Sequence, residues 1–139
     1  MTVHAPDARA HLDALRDAIS LSLPMYDYGA VPGMKNSSGT TNPGTTPTTY
    51  GLWQIERTTL DNGLMARNSR RTGWRLSLRA VGKTTANNCR IALSHLLALE
   101  NAALVIDDHE TTPLYIESVD DAAPDDGYYS ALVRIAYAL

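Results

Sequence analysis

The chain has 139 residues, 44% hydrophobic and 19% charged, which suits one hydrophobic core, is short for two, and excludes disorder as a description of the whole. Its 12 Lys and Arg against 15 Asp and Glu leave a formal charge of −3, so no overall positive field draws it to nucleic acid or an anionic membrane. One cysteine, Cys89, excludes an internal disulfide and, lying among apolar residues, fits a buried thiol in a reducing cytoplasm.

Asp7, Arg9, Asp13 and Arg16 interrupt any apolar stretch at the start, so no secretion signal is expected there. Pro6 suits a first helical turn and Asp7 complements the positive end of the helix dipole. A helix over residues 7–21 is predicted, with Leu12, Leu15 and Ile19 as its apolar stripe and Pro24 beyond its end. Residues 33–47 hold little but Gly, Ser, Thr, Asn and Pro and are expected to form a long mobile loop. From Thr48 to Arg57 the residues alternate, with Gly51, Trp53 and Ile55 on one side and Tyr50, Leu52, Gln54 and Glu56 on the other, a strand covered in part on both faces.

Residues 58–73 contain the turn signal Asp61-Asn62-Gly63 and then Arg67, Arg70 and Arg71 with almost nothing apolar, as either a hairpin tip or a second mobile loop. Trp74, Leu76, Leu78 and Ala80 alternate with Arg75, Ser77 and Arg79, so one face of that strand is core and the other basic. Gly82 is expected to turn the chain, and Thr84 or Thr85 to cap a helix reaching about Leu99 with Cys89, Leu93, Leu96 and Leu97 buried. The apolar run 91–99 inside it is broken by Ser94 and His95 and falls far short of the roughly 20 residues needed to cross a bilayer. Residues 104–106 and 114–119 read as strands joined through Asp107-Asp108-His109-Glu110, followed by an acidic loop at 120–127. Tyr129, Ala131, Val133, Ile135 and Tyr137 then mark a long last strand that belongs inside the sheet. The fold class is α+β: a single domain with one mixed, mainly antiparallel sheet of about four to five strands packed with two helices.

Chemical sites are few. Val81-Gly82-Lys83-Thr84 resembles the end of a phosphate loop, and a helix N-terminus attracts anions, but the glycine such a loop needs five residues before Gly82 is Ser77. A small anion- or nucleotide-binding protein using Lys83 and Thr84 is therefore the alternative from a different functional class. His4, His11, His95 and His109 stand too far apart to suggest a metal site, and Ala122, Ala123 and Pro124 break the ligand alternation a calcium loop would need among Asp120, Asp121, Asp125 and Asp126. No Gly-x-Ser-x-Gly elbow sets a nucleophile against a base, so no enzyme activity, cofactor or metal is expected. The informative charges are Arg67, Arg70, Arg71, Arg75 and Arg79. They suit a solvated face, contact with acidic groups on a neighbouring copy, or a passage for DNA phosphates, with subunit contact preferred.

The order of elements resembles the tail terminator proteins of long-tailed, non-contractile bacteriophages. The residues that carry the likeness are the opening helix, Met25-Tyr26-Asp27 leading to Val31-Pro32, the strand at 50–55, and Gly73-Trp74-Arg75-Leu76-Ser77-Leu78-Arg79-Ala80-Val81-Gly82-Lys83-Thr84 running into Asn87 and Cys89. Leu104-Val105-Ile106-Asp107, Thr112-Pro113-Leu114 and Asp125-Asp126-Gly127-Tyr128-Tyr129-Ser130-Ala131-Leu132 complete it. The resemblance implies a structural virion protein, assembled in the host cytoplasm, whose copies form a ring, commonly of six. Such a ring caps the tail tube, stops its polymerisation and gives the head-tail connector a joining surface, with genome DNA passing through the channel and no membrane partner. Another neck or tail-completion subunit of similar fold is the nearest rival.

Overall fold

The structure, a computed structural model, describes residues 8–19, 23–58 and 73–139. In chain order its elements are helix α1 (Ala8–Ala18), strands β1 (Met25–Asp27), β2 (Thr49–Thr58) and β3 (Gly73–Lys83), helix α2 (Ala86–Leu97), and strands β4 (Val105–Ile106), β5 (His109–Glu110), β6 (Tyr115–Val119), β7 (Ala123–Asp125) and β8 (Tyr128–Ala138). The main sheet runs β1-β2-β3-β8-β6, with β7 beside β6 on the same flank of β8. Among the described strands only β1 pairs in parallel, so the sheet is mixed and mainly antiparallel, and the fold is α+β as the patterning predicts. None of the described helices is long and apolar enough to cross a membrane.

Period-two alternation fixes the register of the two central strands. Leu76 lies opposite Ile135, Leu78 opposite Val133 and Ala80 opposite Ala131, and all six side chains are buried. A slip of one residue would turn this whole set out to solvent and bring Arg75, Ser77 and Arg79 into the core, which is why the pairing is unambiguous. The last strand lies inside the sheet, between β3 and the β6/β7 flank, in agreement with its expected place.

Both helices cover one face of this sheet. α1 buries His11, Leu12 and Leu15, with Ile19 just beyond its end. Its predicted continuation to Leu21 falls partly on residues 20–22, which lie outside the described residues. α2 buries Cys89, Ala92, Leu93 and Leu96, while Leu97 is only half-buried. Thr85 is its N-cap, and the hydroxyl accepts the Asn88 N–H at 3.3 Å.

Gly82 differs from expectation. It is the penultimate residue of β3, and a Cβ there would collide with the backbone nitrogen of Cys89. The glycine is thus needed because the first turns of α2 lie directly on the strand, and the chain reverses two residues later, where Thr84 adopts φ +66°. Cys89 Sγ donates to the Ala80 carbonyl at 3.5 Å, and the Asn88 amide donates to the Lys83 carbonyl at 2.7 Å, so helix and strand are joined along their contact.

Two further expectations are corrected. Residues 107–110 do not link the 104–106 and 114–119 strands: β4 pairs with β5 as a two-stranded ribbon, whereas β6 pairs with β8. The reason is local, since Asp107 and Asp108 at φ +47° and +65° make a two-residue turn that returns the chain on itself at once. The acidic segment 120–127 likewise contains strand β7, tied to β8 by a turn at Asp126 and Gly127, both at positive φ.

Gly82→Ala should lower stability by about 2–3 kcal/mol, because the obstacle is helix backbone and has no free rotamer into which to retreat. Gly51→Ala, whose added methyl would meet the flexible Met25 thioether, should lower it less. Urea midpoints of the two variants, measured side by side, check this ordering.

Candidate subunit-contact face

The sheet face opposite the helices is divided in two. At one end, Val31, Tyr50 and Val81 form a second small core, against which Tyr26, Met34, Leu52 and Tyr128 pack. The cover is the segment between β1 and β2, whose polar composition predicts a mobile loop. Its path is specified by hydrogen bonds. Gly33 N–H donates to Asn42 O at 3.1 Å, Asn42 N–H to Met34 O at 2.9 Å, and Asn36 N–H to Thr40 O at 2.9 Å. The Asn42 amide donates to the carbonyls of Gly29 and Val31, each at 2.9 Å, and the Thr46 hydroxyl to Pro32 O at 2.8 Å. Asn, Thr and Gly are useful here because they supply donors and positive φ where the segment has few apolar side chains to bury.

Beneath this cover Tyr50 is 2% exposed, and its phenol is pushed up to about 12, first by burial and then by the nearby Tyr128 and Asp125. Tyr26 meets it edge to face, with ring centroids 6.1 Å apart.

At the other end no described element covers the face. Arg75 bonds to Glu117, with Nε donating at 2.8 Å and Nη2 at 3.2 Å. Two features of the sheet allow this reach across β8: the residue between them in register is the small Ala136, and β6 bulges between Ile116 and Ser118 so that Glu117 is turned toward the arginine. Arg79 Nη1 donates to Ser130 Oγ at 3.0 Å, and Ser130 Oγ in turn to Asp125 Oδ2 at 3.4 Å. The two arginines are therefore held by β6 and by the β7–β8 hairpin. Arg67, Arg70 and Arg71 lie outside the described residues.

Arg134 was not singled out by sequence reasoning. It stands on β8 between Ser77 of β3 and Ser118 of β6, is exposed, and makes no ion pair with any described residue. Along its own strand it is flanked on the same face by Leu132 and Ala136, both half-buried, and Tyr115 opposite Ala136 is 65% exposed. The available signal was its isolation: after Arg90 every other Asp, Glu, Lys or Arg is acidic.

Other candidates resolve into structure. In the Lys83-Thr84 turn, the Thr84 hydroxyl donates to Lys83 O at 2.6 Å and Asn88 N–H is taken by Thr85, so these polar groups serve the turn itself. His4 lies outside the described residues, His95 is half-buried and His109 exposed. His11 is fully buried, with Nδ1 2.5 Å from the Tyr137 hydroxyl and its ring 4.0 Å from that of Trp74, which ties α1 to β3 and β8. On the sheet's far flank Trp53 Nε1 donates to Asp27, and the Arg16 guanidinium lies 4.9 Å over the Trp53 ring. Among the described residues no three His, Cys, Asp or Glu side chains gather as metal ligands. Asp121 instead faces Arg90 of α2 at 3.8 Å.

No protein-family profile matches the chain, and no curated protein matches it. Three solved chains do match. One of them, whose name carries no functional word, aligns with a TM-score of 0.57 over 95% of this chain and 94% of its own, at 13% identity. A likeness at that identity concerns the fold.

The second core makes a pH prediction. A phenol ionises near 10 in the unfolded chain, whereas folded Tyr50 keeps its proton to about 12. The unfolded state thus releases a proton that the folded state retains, so stability should be full below pH 10 and fall as pH rises towards 12. Tyr137, raised by burial, adds a contribution of the same sign. Urea midpoints across this range should decline less steeply in Tyr50→Phe than in the parent chain.

Proposed function

We propose that this chain is a non-enzymatic assembly protein of the phage neck, a tail terminator whose copies close into a ring, six in number, over the end of the tail tube. The observation that carries this reading is the divided sheet face. The half over which no described element lies places an exposed cation among partly apolar side chains on an inner strand of the sheet, a surface suited to completion by another protein. The order of elements, with its likeness to terminator sequences, supplies the kind of assembly.

In physical terms, cyclic head-to-tail contacts close when the rotation per copy divides the circle, and closure leaves an upper and a lower surface that differ. The lower surface would take the tail tube protein and, once seated, offer no further site for a tube subunit. The upper surface would receive the head-tail connector. DNA would pass through the channel without sequence-specific contacts. Stable protein contacts commonly bury about 800 Å² on each partner, an area that several strands of one sheet face can supply.

Another neck or tail-completion subunit of this fold would share the contact face and differ in which tube end it recognises. The nucleotide-binding alternative draws less support, since Lys83 and Thr84 sit in a turn occupied by its own bonds.

The test is negative-stain imaging of the purified protein, alone and mixed with tail tubes. Rings and capped tube ends are the expected result. A protein that is monomeric at every concentration and leaves tube ends bare would overturn the terminator reading, and saturable nucleotide binding lost in Lys83→Ala would replace it with the alternative.

A further inference from the structure

We propose that the half-face that no described element covers receives the β4–β5 ribbon of a second copy; this rests on the ring reading and names the contact that closes the ring. The ribbon is built to be presented. Ile106 is 1% exposed and anchors one side in the main core, where β4 packs against α1. Val105 lies directly opposite Glu110 on the other side of the ribbon, and it is 63% exposed. The base is clamped by Thr111, whose N–H donates to Leu104 O at 2.8 Å and whose hydroxyl accepts from Leu104 N–H at 2.9 Å. Asp107 and Asp108 form the tip. One rigid surface therefore offers an apolar side chain beside carboxylates.

The face on β8 offers the complement. Leu132, Ala136 and Tyr115 give apolar area for Val105, and Arg134 between two serines gives a guanidinium for Asp107, Asp108 or Glu110. The same copy cannot make this contact, because Ile106 fixes the ribbon on the helix side of the sheet and Arg134 points from the opposite side. Two copies facing each other across a two-fold axis would set Arg134 against Arg134, a like-charge arrangement that disfavours that pairing. Front-to-back contact avoids the repulsion and uses both surfaces of every copy, which is the geometry that makes rings.

The experiment is a reciprocal charge reversal. Arg134→Glu and the double variant Asp107→Lys/Asp108→Lys are prepared separately, checked for folding by thermal unfolding, and examined by sedimentation velocity and negative stain, alone and on tail tubes. Each should need roughly tenfold more protein, or more, to form rings. A 1:1 mixture should recover assembly, because the acidic face of one accepts the basic ribbon of the other. Rings that form at the parental concentration in both variants, or a mixture no better than either alone, would overturn the contact and leave the ring reading standing. A parent chain that never assembles, even on tube ends, would overturn both.

Discussion

The close seating of α2 on β3 governs much of the rest. Because Gly82 has no side chain, the helix backbone comes directly against the strand, and Cys89, Ala92, Leu93 and Leu96 fall in line over Ala80, Leu78 and the β8 residues beside them. A helix held at that distance covers its own side of the sheet and not the other. The opposite face is finished differently at its two ends. At one end the finish is the hydrogen-bonded segment after β1, and at the other end no described element supplies it.

These two ends have different physics. The covered end is a small aromatic core in which a phenol is dry enough to resist ionisation, and its cover is held by side-chain amides and backbone bonds more than by apolar contact. The open end keeps long, charged side chains, of which Arg134 is exposed while Arg75 and Arg79 are half-buried. Arg75 and Arg79 are fixed by neighbours within the chain, which leaves Arg134 as the charge with most to gain from an external carboxylate.

Much of the architecture was legible in the residues. Period-two runs marked the central strands and their buried sides, and Thr84 or Thr85 marked a helix start, at which the structure uses Thr85. What escaped depended on contacts between distant segments. Gly82 looks like a turn residue until the helix is laid against it, and the 107–110 run looks like a loop between strands until two consecutive aspartates at positive φ fold it back. Composition alone did not reveal the bonding within residues 33–47, because it counts apolar area and not the amide groups that Asn36 and Asn42 bring to their own backbone. The structure ties Arg75 and Arg79 to acidic or hydroxyl partners, while an exposed cation of the same sheet lies more than fifty residues away, on the last strand.

The flanks of the sheet carry a separate consequence. β1 is three residues long, β6 is interrupted by its bulge, and β7 contains Pro124, which has no N–H to give. Where β1, β6 and β7 form the border, an incoming strand finds a poor template for the backbone pairing that spreads in fibrils. Contacts at these borders are thereby left to side chains, where geometry sets a limit on the number of partners.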